Sequence, residues 1–428
     1  MPSLSADLRF RGLVHQVTDD SLPGRLDGDP MTVYSGFDPS APSLHIGSLL
    51  PLCTLRRFQL AGHRPIALAG GGTGRIGDPG GKTGERTLLS ADELAANLGG
   101  IRPQLGQFLD FEESAGPARA VLLDNGEWLG PMLLVDFLRD VGKHFTVNQM
   151  VAKESVKARF ERPDQGISYT EFSYMLLQAY DFLRLHLDHG CALQLGGSDQ
   201  WGNITMGVEL IRRVAGQQAY GLTTPLVTKA DGTKFGKTES GTVWLDPART
   251  SPYRLYQFLF NTDDAIVGQY LRYFTFLTHE EITALDTETA EHPERRAAQR
   301  ALARAVCALV HGPAEVERAE RAAAALFGEE IADLDEQTLL DVVADAPSSV
   351  VARTDVDGDG LELVTALVSS GLVTSRSEGR RAISQGGVSI NNRKETDERR
   401  AIGATDLLHD RYVVLRRGRR DHHVLRVE

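Results

Sequence analysis

The sequence predicts an α/β protein, with a Rossmann-like, doubly wound parallel sheet followed by a helical domain and a small α+β domain. Short β-rich runs alternate with longer helical patterns between residues 30 and 220, which favours a parallel sheet covered by helices. From about residue 251 the pattern turns to helices, and a short basic stretch ends the chain. The expected domains are residues 1–250, 251–345 and 361–428, with a linker of Pro, Ser, Asp and Gly at 346–360.

Composition excludes several classes of protein. The chain has 428 residues, 41% of them hydrophobic and 24% charged, and no apolar run approaches the roughly 18 residues that span a bilayer. No membrane association is expected, and the polar start MPSLSADLRF lacks the apolar core of a secretion signal. The odd, scattered Cys53, Cys191 and Cys307 are typical of reduced core residues, so a cytoplasmic location is expected.

The charge is unevenly distributed along the chain. The formal net charge of -12 argues against a protein that coats nucleic acid indiscriminately. Residues 361–428 carry 13 Lys/Arg and 9 Asp/Glu, a surplus of 13 - 9 = +4, which leaves -12 - 4 = -16 for the remainder. The basic tail is therefore the candidate for binding nucleic acid.

The predicted strands place unusual residues at one edge of the sheet. TVYSGF, RPIALAG, ARAVLLD near 119 and CALQLGG near 191 are the strand-like runs, and LLPLCTLRRFQLAG is a helix between the first two. In such sheets ligands bind beyond the carboxyl ends of the strands. The residues that directly follow these runs are therefore the candidates for a site.

The first such segment is FDPSAPSLHIGS, residues 37–48. We expect Ser43 to cap a helix that carries His45 and Gly47 in its first turn, where free N–H groups and the helix dipole favour phosphate. Pro51 cannot donate to the carbonyl of Gly47, so this helix is expected to bend. A chance match of four residues is the alternative interpretation.

The glycine-rich segment at 69–86 imitates two nucleotide-binding motifs. Gly72, Gly74 and Gly77 fit the dinucleotide fingerprint and would suggest a nicotinamide-dependent oxidoreductase, but Asp78 stands close to where the helix should open. GGKT at 80–83 resembles a P-loop whose first glycine would fall on an isoleucine. The remaining candidates are Asp78, which could hold an ammonium group, and Lys82 and Arg86, which could hold phosphate oxygens. A solvated surface loop is the alternative interpretation.

Three further segments carry candidate ligands of a polar substrate. Tyr174, Gln178 and Asp181 are spaced i, i+4, i+7 on one face of an apolar helix. LQLGGSDQWGN, residues 193–203, leaves a strand through glycines and enters a helix at Ser198, with a carboxylate suited to a ribose in its first turn. TKADGTKFGKTES, residues 228–240, places cations on a loop that can close on a polyphosphate. A solvated helix face, ordinary helix capping and an exposed basic turn are the respective alternatives.

Together and in this order, the segments resemble the class I aminoacyl-tRNA synthetases, and among them the bacterial tyrosyl family. HIGS at 45–48 stands where the family has its HIGH-type signature, and KFGKT at 234–238 where it has KMSKS. YSGFDPSAPSLH, GDP, YMLLQAYD and GGSDQWGNI extend the similarity over about the first 250 residues. The resemblance implies a catalytic domain at 1–250 that activates L-tyrosine with ATP, with Mg²⁺ on the ATP phosphates and no protein-bound metal, and then transfers tyrosine to tRNA(Tyr).

The resemblance also implies a role for individual residues. The phenolic hydroxyl of tyrosine would bond Tyr34 and Asp181, and its ammonium group would bond Asp78, Tyr174 and Gln178. The adenylate and the ATP phosphates would lie against Gly36, Asp38, Ser40, Gly47, Ser48, Gly197, Asp199 and Gln200. Catalysis would be positioning and charge stabilisation by His45, Lys82, Arg86, Lys234, Lys237 and Thr238, of which Lys237 would also contact ATP.

The carboxyl-terminal parts resemble tRNA-binding modules. The helical domain at 251–345 is expected to contact tRNA, and LVTALVSSGLVTSRSEGRRAISQGGVSINN looks like an S4-type RNA-binding domain. Arg376, Arg380 and Arg381 would contact its phosphates, although a solvated basic helix is the alternative. The family also implies a homodimer, with the insertion around residues 125–190 at the interface.

Two alternative interpretations compete with this family. Ser48 stands where the family signature usually ends in His or Asn, so a non-catalytic RNA-binding protein descended from a synthetase is one alternative. A tryptophanyl-type synthetase is the nearest rival, but it should lack both the Tyr34 and Asp181 pair and the S4-like tail.

Overall fold

The computed structural model describes residues 2–78, 88–153, 156–157, 166–233, 235–238, 241–325, 331–344, 346–418 and 421–428. The chain forms two compact units: one extends to Arg249 and includes Thr262–Ala305, and the other comprises Thr250–Asn261 and Val306–Glu428. Within the described ranges, no helix combines the length and the apolar character needed to cross a membrane.

Helices occur in both units. In chain order they are α1 Leu4–Phe10, α2 Leu22–Leu26, α3 Leu49–Leu60, α4 Ala91–Phe108, α5 Gly126–Leu129, α6 Leu134–Asp140, α7 Val147–Val151, α8 Tyr169–His189, α9 Trp201–Ala215, α10 Pro252–Phe260, α11 Asp264–Phe274, α12 His279–Glu291, α13 Ala297–His311, α14 Pro313–Ala325, α15 Glu336–Val342, α16 Arg353–Val356, α17 Leu363–Ser369 and α18 Arg376–Ser384. Short 3₁₀ turns at Ile46–Ser48, Thr73–Arg75 and Ser198–Gln200 follow strands of the first unit.

The strands fall into two main sheets and two short pairs. In chain order they are β1 Gln16–Val17, β2 Thr32–Phe37, β3 Arg64–Ala69, β4 Val121–Asp124, β5 Cys191–Gly197, β6 Tyr220–Thr224, β7 Lys237–Thr238, β8 Gly241–Thr242, β9 Ser348–Val351, β10 Leu361–Glu362, β11 Val388–Ile390, β12 Arg393–Glu395, β13 Ala401–Ile402, β14 Tyr412–Arg417 and β15 Asp421–Val427.

The first unit is built on a six-stranded sheet with the order β1-β6-β5-β2-β3-β4. All neighbours are parallel except β1 and β6. The chain moves outward from β2 to β3 and β4, then returns to place β5 on the other side of β2. This reversal is the switch point of a doubly wound sheet, so the predicted Rossmann-like fold is confirmed.

The local sequence explains how the helices beside this switch point begin and end. Ser90 and Glu93 form a capping box at the start of α4, which satisfies free N–H groups of its first turn. Gly190 ends α8 in a left-handed conformation with φ of 63°, which glycine adopts without strain. The core between α8 and the sheet contains Tyr34 and Phe182, whose rings lie 5.2 Å apart. The start of the next strand, β5, is thereby fixed directly beside β2.

The second unit combines helices with an antiparallel sheet. Its main sheet has the order β12-β11-β14-β15-β9, in which β9 joins β15 in parallel. Helices α17 and α18 pack on one core, which includes Leu363, Ile383 and Val413. A second core joins Tyr253 and Ala322 to residues of β14 and β15. An α+β arrangement at the carboxyl end is therefore confirmed, and β9 lies within the stretch that sequence composition marks as a linker.

Candidate active site

A cleft opens at the carboxyl ends of β2 and β5, the two strands at which the sheet order reverses. This is where a doubly wound sheet binds its ligands. The cleft brings together most of the residues that the sequence selects for tyrosine and adenylate binding. Those that line it are Tyr34, Gly36, Asp38, Asp78, Tyr174, Gln178, Asp181, Gly197, Asp199 and Gln200.

One end of the cleft is a deeply buried polar pair, Tyr34 and Asp181, each with 1% of its surface exposed. The Tyr34 hydroxyl has no hydrogen-bond partner among the described residues. Burial, together with the charge of Asp181, raises the pKa of Tyr34 well above its ordinary value, so the hydroxyl remains protonated. Because a buried hydroxyl without a partner is costly, this end of the cleft is built to receive a polar group.

The Asp181 carboxylate is held by two donors that arrive from the segment after β4. Asn125 donates through Nδ2 to one carboxylate oxygen at 2.8 Å, and Trp128 donates through Nε1 to the other at 2.7 Å. Burial raises the pKa of Asp181 to about 7, although both hydrogen bonds act in the opposite direction. A carboxylate that titrates near neutrality can accept a hydrogen bond from a phenol when it is ionised.

The middle of the cleft is lined by a chain of side-chain amides that ends on a carboxylate. Gln200 donates to Asp78, and Gln178 donates to the Gln200 oxygen at 3.2 Å. Asn203 donates to the Gln178 oxygen at 2.9 Å, which fixes the orientation of that amide. The predicted i, i+4, i+7 face of α8 is confirmed, since Tyr174, Gln178 and Asp181 all face this cleft.

A second set of hydrogen bonds connects Asp38 to Asp181 through fixed side chains. Tyr174 donates to one oxygen of Asp38 at 2.9 Å, and Thr73 donates to the other at 3.1 Å. Asn125 donates to the Thr73 hydroxyl at 2.9 Å as well as to Asp181. The two carboxylates at opposite ends of the cleft are therefore connected through fixed side chains.

The signature segment, defined as residues 43–48, does not begin a helix at Ser43 as the sequence suggests. His45 has an extended backbone and pairs with Trp244, and its ring accepts a hydrogen bond from the N–H of Gly47 at 3.0 Å. A Cβ on Gly47 would lie 2.8 Å from the His45 ring, so a larger residue there would displace that ring. The expectation of a capped helix is wrong because pairing with Trp244 keeps this backbone extended until the 3₁₀ turn.

The helix after the signature does not lose a hydrogen bond at its proline. Pro51 lies in the first turn of α3, where an N–H is not needed within the helix, and Gly47 lies outside the helix. The physical reason given for a bend therefore does not apply. Pro51 lines the cleft, whereas Ser40, His45, Gly47 and Ser48 do not.

The segment with KFGKT returns to the signature as a short hairpin, β7 with β8. Gly236 has a φ of +82°, and a Cβ there would lie 2.5 Å from Cγ2 of Ile46, so the hairpin contacts the signature directly. Lys237 and Thr238 lie in β7, but their side chains are outside the described part of the structure. Lys82, Arg86 and Lys234, also predicted to bind phosphates, are outside the described residues.

Several polar residues that line the cleft or hydrogen-bond to its lining were not identified from sequence. Asn125 directly follows β4, so the rule that sites lie just after strands could have identified it. Trp128 and Asn203 give no comparable signal, because their partners are distant in the chain. Gln194 lies on β5 beside Tyr34 and lines the same cleft, yet it is one polar residue within an apolar strand.

The predicted RNA-binding arginines lie on or at the start of α18 in the second unit. Arg376 forms an ion pair with Glu362 and donates to Thr365 at 2.8 Å. Arg380 and Arg381 are exposed. All three side chains are therefore exposed, and that of Arg376 is also held by an ion pair within the second unit.

Two other expectations concern the cysteines and a protein-bound metal. Cys53, Cys191 and Cys307 are free and buried, as predicted. Burial raises the pKa of Cys53 to about 11, which keeps this thiol protonated. Within the described ranges, no group of three or more His, Cys, Asp or Glu side chains is arranged to hold a metal ion.

Comparisons with known proteins agree with this geometry. The family described as tRNA synthetases class I (W and Y) matches residues 26–328, and the tyrosine–tRNA ligase SYY-like C-terminal domain matches residues 342–425. The chain is 58% identical to the tyrosine–tRNA ligase of Roseiflexus castenholzii over 100% of both chains, and 53% identical to that of Bacillus caldotenax over 99% of both.

Solved structures show the same fold. A C-terminally truncated mitochondrial tyrosyl-tRNA synthetase from Aspergillus nidulans aligns with a TM-score of 0.69 at 34% identity, covering 76% of this chain and 95% of that one. A tryptophanyl-tRNA synthetase from Encephalitozoon cuniculi aligns with a TM-score of 0.54 at 13% identity, covering 78% and 91%, which shows a shared fold alone.

The doubly wound sheet, its cleft and the matched family define the chain as a member of the class I tRNA synthetases of the tryptophan and tyrosine group. Within that group it belongs to the tyrosine–tRNA ligases, which it matches over its whole length. The match to the tyrosine–tRNA ligases argues against the oxidoreductase interpretation, and Gly72 and Gly74 lie at a short 3₁₀ turn, with no α-helix beginning in the described residues up to Asp78.

Proposed function

We propose that this chain activates L-tyrosine with ATP to tyrosyl-AMP and pyrophosphate, and then transfers tyrosine to the 3′-terminal ribose of tRNA(Tyr). Membership of the tyrosine–tRNA ligases makes it a ligase of this class. The observation that carries the choice of tyrosine is the buried pair of Tyr34 and Asp181 at the end of the cleft. A phenol has one hydrogen to donate and lone pairs to accept, and this pair offers the matching acceptor and donor.

The remainder of the cleft supports the binding of an amino acid in one orientation. We propose that the ammonium group lies against Asp78, Tyr174 and Gln178, where a carboxylate and two oxygen acceptors converge on the cleft. The tyrosine carboxylate then points away from the buried end. Its oxygen attacks the α-phosphate of ATP, and the bond to pyrophosphate breaks, so no enzyme nucleophile is needed.

The nucleotide is proposed to lie over the carboxyl ends of β2 and β5. Gly36 and Gly197 let the ribose and α-phosphate approach the backbone, and Asp199 is placed to accept hydrogen bonds from ribose hydroxyls. His45 and the predicted cations Lys82, Arg86, Lys234 and Lys237 would stabilise charge on the departing pyrophosphate. Mg²⁺ enters with the ATP phosphates as part of the substrate.

We propose that tRNA binds through the second unit as well as the catalytic unit. The surplus of positive charge at residues 361–428 supports a phosphate-binding surface. Arg380 and Arg381 present exposed guanidinium groups on α18, and we assign that helix to an S4-like RNA-binding module. The preceding helices are proposed to contact tRNA and to join this module to the catalytic unit.

We propose that the protein is a cytoplasmic homodimer. An exposed apolar segment, residues 133–147 around α6, supports this, because it carries several largely exposed aliphatic side chains. They are Leu133, Leu134, Val135, Leu138 and Val147, which are 69%, 68%, 72%, 46% and 63% exposed. In sedimentation velocity we expect a dimer that Val135→Glu converts to a monomer. Leu60→Glu, at an exposed leucine on α3, should leave the dimer intact, and a monomeric parent would refute the dimer proposal.

The function is tested by charging tRNA(Tyr) with tyrosine, phenylalanine or tryptophan in the presence of ATP and Mg²⁺. We expect aminoacylation with tyrosine alone. Asp181→Asn should weaken charging strongly, whereas Asp188→Asn, on the same helix but ion-paired with Arg184 at the surface, should not. Charging with tryptophan in preference to tyrosine, or no charging by folded protein, would refute the proposal.

A further inference from the structure

The turn that carries the signature segment is supported along its length by one face of α4. Asn97 donates to the carbonyl of Pro39 at 2.9 Å, and a Cβ on Gly100 would lie 1.9 Å from the carbonyl oxygen of Pro42. One turn further along the same face, Gln104 reaches the signature itself. Helix α4 therefore holds the polypeptide between β2 and α3, which has no strand or helix of its own before Ile46.

Gln104 makes two hydrogen bonds to the start of the signature. Its Oε1 accepts from the N–H of Leu44 at 2.7 Å, and its Nε2 donates to the hydroxyl of Ser43 at 3.1 Å. The orientation of this amide is fixed, because the N–H of Leu44 can only donate and must therefore face the oxygen.

The Ser43 hydroxyl connects α4 to the opposite side of the signature. It accepts from Gln104 and from the N–H of Asp246 at 3.2 Å, and it donates to the carbonyl of Leu44 at 2.7 Å. Ser43 is 4% exposed, so water does not compete easily for these bonds. One buried hydroxyl thus joins α4, the signature and the segment at Asp246, all in the first unit.

The segment after the β7–β8 hairpin, residues 243–246, completes this junction through its backbone. The N–H of Ile46 donates to the carbonyl of Val243 at 3.0 Å, and the N–H of Leu245 donates to the carbonyl of Leu44 at 2.9 Å. Gly236, in the hairpin, receives a bond from Val243 at 2.9 Å. The signature is held between α4 on one side and the base of the hairpin on the other.

We propose that Gln104 is a positioning residue for the reaction. Through Leu44 and Ser43 it sets the place of the signature relative to the hairpin, and hence the place of the groups that receive the ATP phosphates. The inference rests on the proposed function, because it assigns the signature to ATP. Positioning of this kind acts on ATP and not on tyrosine, whose proposed site is the buried end of the cleft, which residues 43–48 do not line.

The test compares Gln104→Met with a matched variant, Gln59→Met. Gln59 is also an amide that bridges backbone groups, donating to Asp110 and Ala118 and accepting from Asp110, but none of these bonds involves the signature. The measurements are the thermal midpoint, the Kd of tyrosine, the Kd of a non-hydrolysable ATP analogue, and kcat/KM for ATP in pyrophosphate exchange.

We expect Gln104→Met to lower kcat/KM for ATP by about 5- to 50-fold, since it removes two bonds and leaves the buried N–H of Leu44 unpaired. The Kd of tyrosine should change less than about twofold. Gln104→Glu keeps an acceptor for Leu44 and should recover part of the loss. Gln59→Met should lower the thermal midpoint similarly and leave the ATP constants within about twofold.

Ser43→Ala supplies a second check on the same junction. Because Ser43 and Gln104 act through one shared hydrogen bond, their effects on kcat/KM for ATP should be less than additive in the double variant. The inference is refuted if Gln104→Met keeps the parent's Kd for the ATP analogue and the parent's kcat/KM for ATP. It is also refuted if the binding of tyrosine and the binding of ATP weaken together as the protein loses stability. A parent that binds the ATP analogue but exchanges no pyrophosphate with tyrosine contradicts the proposed function, while the analogue Kd values still test the role of Gln104.

Discussion

The hydrogen bond from Trp128 to Asp181 should set the pH range in which the protein binds tyrosine. Burial raises the pKa of this carboxyl to about 7, and the bonds from Asn125 and Trp128 limit the rise by stabilising the ionised form. Trp128→Phe keeps an aromatic ring and removes the N–H. A hydrogen bond to a charged group contributes about 1.5–3 kcal/mol, which corresponds to a pKa increase of about 1–2 units.

The expected consequence is a shifted pH profile for tyrosine affinity. If the ionised carboxylate accepts the phenolic hydrogen, the affinity of the parent rises as pH increases through about 7. In Trp128→Phe the same rise should be centred about 1–2 units higher. Equilibrium dialysis with labelled tyrosine between about pH 5.5 and 9 measures both midpoints, below the range in which the phenol itself ionises.

The stability of the unliganded protein gives an independent readout with a defined sign. A raised carboxyl pKa means that the native state binds the Asp181 proton more tightly than the unfolded state does, so stability falls as pH rises between the two pKa values. In the parent this loss occurs between the ordinary aspartate pKa of 3.8 and about 7, and is complete above that. In Trp128→Phe the loss should continue beyond pH 7.

The control for this prediction is Asp181→Asn, which removes the titrating group. The double variant with Trp128→Phe should show no midpoint that could shift. Equal midpoints in the parent and Trp128→Phe would refute the reasoning, since they would mean that the indole N–H does not stabilise the charged carboxylate.

Three further results are expected. Gly236→Ala should lower the rate of pyrophosphate exchange about tenfold or more, because alanine disfavours the φ of +82° and its Cβ would collide with Ile46; an unchanged rate would contradict this. Replacing Arg380 and Arg381 by serine should weaken tRNA binding and reduce the slope of log affinity against log salt by roughly 0.7–0.9 for each lost phosphate contact, without altering tyrosine activation. Ser48→His or Ser48→Asn should raise the activation rate by the equivalent of one hydrogen bond, about 0.5–1.5 kcal/mol, and slower variants would refute this.

The parts of the site that local sequence could predict are those within one element. Tyr174, Gln178 and Asp181 share one helical face because of their spacing, and an apolar helix with such a face predicts a ligand. The strands could be predicted in the same way, because buried parallel strands are continuous apolar runs. The rule that ligands bind at the switch point of such a sheet then predicts that the residues after the strands and this helix face lie at one site.

The parts that could not be predicted depend on contacts between distant segments. Ser43 has the sequence signal of a helix cap, yet its partners Gln104 and Asp246 lie 61 and 203 residues away. Pairing with residues 243–246 keeps the backbone extended and overrides the local preference for a helix start. The role of Trp128 is hidden for the same reason, since Asp181 lies 53 residues further along the chain.

The central claim is that the buried pair of Tyr34 and Asp181 selects a substrate with a phenolic hydroxyl. The most direct test is pyrophosphate exchange with tyrosine and with phenylalanine, compared as kcat/KM. A site that hydrogen-bonds a substrate hydroxyl rejects the analogue without it by about 10⁴–10⁵-fold, a range that includes the value documented for tyrosyl-tRNA synthetases themselves. We predict discrimination of that order in the parent and a clear reduction in Tyr34→Phe. Comparable exchange with phenylalanine in the parent, or exchange with neither amino acid, would contradict the account.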